Sequence, residues 1–202
     1  MKILSVETLI NSGSFPASDE WHTLRSQLHD DIRRMDWPPG TGTFTVYPES
    51  GKKSGQGNGV KPIKDGLMYR LERRGWQLEK AMDIATVIRP GKLDAVFDCE
   101  AGPVAVEWET GNISSSHRAL NKMCLGLMKG LLVGGVLVVP SREFYKFLTD
   151  RVGNISELRP YLDLWSSIKC NNGILEIIVV EYDDTSFDVP RIKKGTDGRA
   201  LI

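Results

Sequence analysis

The sequence predicts an α/β domain with a central mixed β-sheet flanked by helices. Three observations carry that prediction. Two β-rich runs, Leu93-Asp94-Ala95-Val96-Phe97-Asp98-Cys99 and Val104-Ala105-Val106-Glu107-Trp108-Glu109, flank the turn-forming cluster Glu100-Ala101-Gly102-Pro103 and read as a hairpin. Apolar residues at helical spacing (Trp21, Leu24, Leu28, Ile32, Met35) mark an amphipathic helix upstream. Downstream, helical stretches alternate with the strongly apolar runs 133–139 and 173–182, as layered α/β folds require.

Taken in order, residues 2–10 suit a short strand or a helix, and periodicity does not decide. The helix over 18–36 has Ser18 as N-cap and Asp19 and Glu20 in its first turn, where negative charge is favoured; Trp37-Pro38-Pro39-Gly40 stops it. Residues 43–47 form a strand candidate, followed by a Gly- and Lys-rich loop at 51–59. That loop lacks the Gly-x4-Gly-Lys-Ser/Thr order of a P-loop, so no nucleotide cofactor is expected; Lys52 and Lys53 read as surface charges or DNA-backbone contacts. Asp65 is placed as the cap of a helix over 66–74 ending at Gly75, with Glu79 just beyond. After the hairpin, the polar cluster 112–115 caps a helix to about Lys129 whose apolar positions are Leu120, Met123, Cys124, Leu127 and Met128. Ser141 caps a helix to about Thr149, and Ser156 opens another toward Trp165.

With 202 residues, the chain reads as one domain over 1–202, with 183–202 a loop-like C-terminal arm. Its 26 basic and 26 acidic residues cancel, which argues against a generic polyanion binder but not against a sequence-specific one. No apolar stretch reaches transmembrane length, and the first residues lack a signal-peptide core, so no membrane partner and a cytoplasmic location are expected. Cys99, Cys124 and Cys170 are widely spaced, without a histidine cluster, and read as free thiols.

The chemistry concentrates at the hairpin. With Ala101-Gly102 as a two-residue turn, Asp94 falls roughly opposite Glu109, while Glu107 and Glu109 share one face and Trp108 takes the other. A single acid there would read as a solvated strand edge. Three acids so close repel one another, and unless one stays protonated a cation must sit among them; hard oxygen donors select Mg²⁺. The spacing Asp-x12-Glu-x-Glu is a variant of the PD-(D/E)XK nuclease pattern, with Glu109 where a lysine usually stands. An acid there accepts a proton from an attacking water, so Glu109 reads as general base. Asn112 and Ser114, at a helix start, are placed to read base edges, with Arg118 one turn on. Asp150-Arg151 has the chemistry of a G·C reader, though on sequence chemistry alone an exposed ion pair at a helix end explains it better. His117 reads as a packing residue.

The run from Glu107 to Arg118, continued in Asn121-Lys122, Leu148-Thr149-Asp150-Arg151-Val152-Gly153-Asn154 and Pro160-Tyr161, resembles the catalytic and recognition segments of BamHI-type type II restriction endonucleases. Gly57-Asn58-Gly59-Val60, Pro62-Ile63-Lys64 and Lys194-Gly195-Thr196-Asp197-Gly198 are similar to the same family. The resemblance implies a restriction-endonuclease-like fold and a homodimer, joined largely through the helix at 115–130, that cuts double-stranded DNA. It implies metal binding by Asp94, Glu107, Glu79 and the Trp108 carbonyl, with catalysis by Asp94, Glu107, Glu109 and Glu79. It assigns DNA contacts to Asn112, Ser114, Arg118, Asp150, Arg151 and Lys64, and to Gly195 and Asp197 on a C-terminal arm. It implies the target GGATCC, cut after the first G to leave 5′ overhangs. The alternatives are a relative with a different palindrome and a DNA-binding protein without cleavage; a carboxylate-pair glycosidase lacks the aromatic-lined cleft it needs.

Overall fold

The computed structural model describes residues 1–53, 55–84, 91–108, 110–149 and 151–195. Six strands form one mixed sheet: Lys2–Ser12 (β1), Gln77–Met82 (β3), Gly91–Cys99 (β4), Gly102–Trp108 (β5), Gly134–Pro140 (β6) and Gly173–Glu181 (β7), in the order β1-β7-β6-β5-β4-β3. The parallel strands β5, β6 and β7 lie in the middle, and antiparallel partners cover them on both sides. Thr45–Val46 (β2) and Asp184–Thr185 (β8) make a small separate parallel pair. The helices are Asp19–Arg33 (α1), Val60–Arg73 (α2), Ile113–Met128 (α3) and the short Arg142–Tyr145 (α4), Ile155–Leu158 (α5) and Leu162–Ser166 (α6).

The apolar runs alternate between two cores. Val136 and Val138 of β6 pack with α1 and α2 residues such as Leu24, Ile32, Leu67 and Leu71. Leu137 and Val139, between them, pack with Leu120, Met123 and Leu127 of α3 and Trp165 of α6. Helices on both faces explain why β6 reads as a continuous apolar run instead of an alternating one. Strand β1, which periodicity left undecided, is an edge strand paired with β7 through two register irregularities.

Four details depart from the sequence reading. Helix α2 starts at Val60, capped by Gly59, and Asp65 lies inside it, paired with Lys61 at 2.5 Å. Pro62 is tolerated there because a first-turn N–H has no helical partner to lose. Residues 77–82 form strand β3, whose alternating exposed and half-buried side chains mark a sheet edge. Helix α4 is only one turn long, and Pro160 divides the segment after Asn154 into α5, a 3-10 turn and α6. The hairpin turn falls at Glu100-Ala101, with Cys99 opposite Gly102. Gly102 has φ +137°, and a Cβ there would come 2.9 Å from Val133 Cγ1, so glycine opens β5 instead of sitting in the turn.

Candidate active site

That turn sets the register Ala95 opposite Val106. Asp94 consequently neighbours Glu107, two places short of the expected partner Glu109. A two-residue shift preserves which face each side chain takes. Glu107 is buried on the α3 side, and Trp108 is buried in the core on the other. The two acids are locked to the backbone: the Trp108 N–H donates to Asp94 Oδ2 at 2.8 Å, and the Asp94 N–H donates to Glu107 Oε2 at 3.3 Å.

Helices on both sides bring cations to the pair. Lys64 Nζ of α2 stands 2.5 Å from Asp94 Oδ1, and Lys122 Nζ of α3 stands 3.3 Å from Glu107 Oε1. Burial pushes the Glu107 carboxyl up to about 7, the Asp94 charge adds to the shift, and Lys122 pulls against it. Burial works against the Lys64 ammonium too, but Asp94, with Glu107 and Glu79, outweighs it and holds its pKa above the ordinary lysine value. Lys64, named for DNA contact, is therefore placed on a carboxylate.

Glu79 completes a row across three strands. The β3–β4 register leaves it facing Asp94, where the ladder is interrupted, because Glu79 has φ +51°. Its carboxylate is exposed, 3.8 Å from Lys92 Nζ. A cleft of about 900 Å³ is lined by Glu79, Asp94 and Glu107 from the sheet and by Ser114, Arg118 and Lys122 from α3. Ser114, Arg118 and Lys122 recur every four residues, so one face of α3 runs along the acids. Among the described residues no three His, Cys, Asp or Glu side chains come together tightly enough to enclose a metal ion. Glu109, the third acid of the motif, lies outside the described residues, as do Asp150 and Asp197.

Asn112 caps α3, its Oδ1 accepting from the Ser114 N–H at 3.1 Å, which leaves its Nδ2 donor for other partners. His117 packs its ring against Tyr161 and Trp165, at 4.6 and 5.2 Å between centroids, as a packing residue should. Arg151 sits elsewhere, in a second cleft of about 430 Å³ with Lys52, Lys53, Arg191, Lys193 and Lys194. Gly195 follows directly in sequence, beside the Lys61 stem. The segment carrying Arg151 is nevertheless tied to the start of α3: the Gly153 N–H donates to Gly111 O at 3.0 Å, and a Cβ on Gly153 would meet Ser116 Oγ at 2.6 Å.

Two residues escaped the sequence reading. Asn58 is fully buried, donates to Tyr47 O and Phe147 O, and accepts from the Ile192 N–H, so one amide joins the three segments that line the basic cleft. Lys122 was visible only as part of a motif; its helical spacing from Ser114 and Arg118 was the available signal.

The family model "Restriction endonuclease BamHI" matches residues 1–199. The chain belongs to the BamHI family of restriction endonucleases. It is 45% identical over 201 residues to the type II restriction enzyme OkrAI of Oceanobacter kriegii, covering 100% of both chains. It is 34% identical over 172 residues to the type II restriction enzyme BamHI of Bacillus amyloliquefaciens, covering 80% of this chain and 75% of that one. Among solved structures, restriction endonuclease BGLII complexed with a DNA 16-mer aligns with a TM-score of 0.58 over 98% of this chain and 91% of that one, at 10% identity. That likeness speaks to the fold: a mixed six-stranded sheet flanked by helices, as expected. Membership of the BamHI family makes this chain a type II restriction endonuclease. The acid pair, its two lysines and the α3 face are thus parts of a nuclease.

Proposed function

We propose that this restriction endonuclease is a Mg²⁺-dependent homodimer that hydrolyses double-stranded DNA at the palindrome GGATCC, after the first G, leaving 5′ overhangs. The observation that carries the reading is the buried pair Asp94–Glu107 on the floor of a cleft that also receives Ser114 and Arg118. The identity to the OkrAI and BamHI enzymes supports the target sequence.

The residues fit a hard divalent cation. Burial and the Asp94 charge raise Glu107 despite Lys122, so a further cation beside the pair would favour its ionised form, and every donor is a hard oxygen. Asp94, Glu107, Glu79 and the Trp108 carbonyl would hold the ion. When bound, it supplies activation of water and neutralisation of charge at phosphorus. Glu109 takes a proton from the attacking water, a role a carboxylate performs where a lysine cannot. Ser114, Arg118 and the Asn112 amide face the duplex from the start of α3, where free N–H groups also favour phosphate. Asp150 and Arg151 read a G·C pair, Arg151 spanning both guanine acceptors. Lys64 neutralises charge beside Asp94, and the arm carrying Gly195 and Asp197 follows the duplex on one side.

Cutting both strands of a palindrome with one centre per chain needs two copies. The exposed apolar residues Met128 of α3, Leu131 just beyond it, Tyr161 just before α6 and Leu164 within it form the surface on which the second copy docks.

Digestion of a plasmid of known sequence with added Mg²⁺, followed by end mapping, tests the whole reading. Cleavage at GGATCC with four-base 5′ ends is expected. Cleavage at another palindrome would replace the target, and specific binding without cleavage under any divalent metal would overturn the nuclease mechanism.

A further inference from the structure

Lys122 lies where a divalent cation would compete with it. Its side chain is only 17% exposed; its ammonium stands 3.3 Å from Glu107 Oε1 and also donates to the main-chain carbonyl of Lys92 on β4. Lys64 stands against the other acid, so each carboxylate of the pair has an ammonium on one oxygen and a main-chain N–H on the other. These four oxygens are the ones hard cations seek. An ammonium and a divalent ion sharing one carboxylate repel each other strongly in so buried a place. A lysine also has a flexible stem that can swing its charge toward water, where it is strongly hydrated. The face of α3 beside it is open, since the cleft continues past Lys122 to Leu125 and Asn121.

We propose that Lys122 is an internal competitor for the divalent cation: its ammonium holds Glu107 until the ion arrives, and loading of Asp94 and Glu107 requires it to withdraw into the cleft. This rests on the metal-site reading given above. Lys122 is a positioning residue in this account, and it tunes cation affinity instead of contacting the reacting phosphate.

The test is calorimetric titration of the DNA-free protein with Ca²⁺ at about pH 9, well above the value of about 7 to which burial raises Glu107. Lys122→Met is expected to tighten Ca²⁺ binding by about tenfold, because a like charge has been removed from the site. Lys122→Arg should stay near wild type, as the charge remains. Unchanged or weaker binding by a folded Lys122→Met protein overturns the proposal. Asp94→Asn separates the two levels: if it leaves Ca²⁺ binding untouched, the metal-site reading itself fails. If Asp94→Asn weakens binding while Lys122→Met does not alter it, the competitor role alone fails. A second measurement needs no variant. Acylation of wild-type Lys122, followed by peptide mass spectrometry, should speed up several-fold when Ca²⁺ saturates the protein; an unchanged rate overturns the proposal.

Discussion

Glu79 and Arg151 are the two non-glycine residues with a left-handed φ among those described, both at +51°. That conformation is unfavourable for a side chain with a Cβ, and residues held in it cluster at functional sites. One lines the acidic cleft and the other the basic one. Arg151→Gly should therefore raise stability by about 1 kcal/mol in urea unfolding. A loss of stability instead would mean that the Arg151 side chain holds the segment in place. Asn58 is the opposite case, a polar side chain kept for structure. Asn58→Ala should lower stability by about 1–3 kcal/mol, because it leaves the buried Ile192 N–H without its acceptor and takes one of two donors from each of the Tyr47 and Phe147 carbonyls. A smaller change would show that water replaces the amide. His29 belongs to this scale as well. Burial first, then Arg25 and Arg33, lower its pKa to about 4, with Asp30 opposing, and its Nε2 has no hydrogen-bond partner. The unfolded chain takes up a proton near the ordinary value of 6.5 and the folded chain refuses it, so stability is full above that pH and drains away as pH falls toward about 4. In His29→Gln the decline over this window should be shallower; an identical slope would assign it to carboxylates.

Among the elements, α3 contributes most of the helical lining of the cleft at the acid pair. Its N-terminal turn is capped by Asn112, its buried stripe fills the second core, and its remaining polar face runs from Ser114 through Arg118 to Lys122 along the acids. The segment after α4 is anchored to it at Gly153 and to the 51–59 loop through Asn58. On the proposed recognition scheme, base reading and backbone contact are separable by mutation. Arg151→Ala should cost about 1–3 kcal/mol at one G·C pair of GGATCC and far less on random duplex, measured as binding in Ca²⁺ at fixed salt. Lys52→Ala should weaken all sequences slightly and lower the salt dependence. Equal losses on specific and random DNA for Arg151→Ala would make Arg151 a phosphate clamp.

At the scale of the whole molecule, a net charge of zero conceals a local excess: one cleft is lined by acids and bases in equal number, the other by six lysines and arginines. A balanced total keeps non-specific DNA affinity low while the local field remains available at the cleft. The apolar surface of α3 and α6 is the other large-scale feature. On the proposed dimer, placing a charge there, Met128→Glu together with Leu164→Glu, should give a monomer in sedimentation equilibrium and slow the cutting of both strands by at least about tenfold. A variant that stays dimeric would move the interface elsewhere. Among the described residues no helix is long and apolar enough to cross a membrane.

The sequence by itself determined the α/β class, the capped helices α1 and α3, the buried strands β6 and β7, and the family. All of these rest on local signals: a cap next to its helix, an apolar run bounded by glycine, or a motif read in order. Its hairpin was also legible, but not the register, because the turn cluster Glu100-Ala101-Gly102-Pro103 allows more than one two-residue turn. The pairing seen in the fold, with Gly102 opening β5 close against Val133 just ahead of β6, is what shows that Asp94 meets Glu107. Strand β3 escaped notice because an edge strand needs few apolar residues, and its hydrogen bonds come from β4. Lys64 and Lys122 were likewise ordinary polar positions on two helices far apart in sequence. Tertiary packing of α2 and α3 on opposite faces of the sheet places both ammonium groups on one pair of acids, and no local pattern encodes a meeting of that kind.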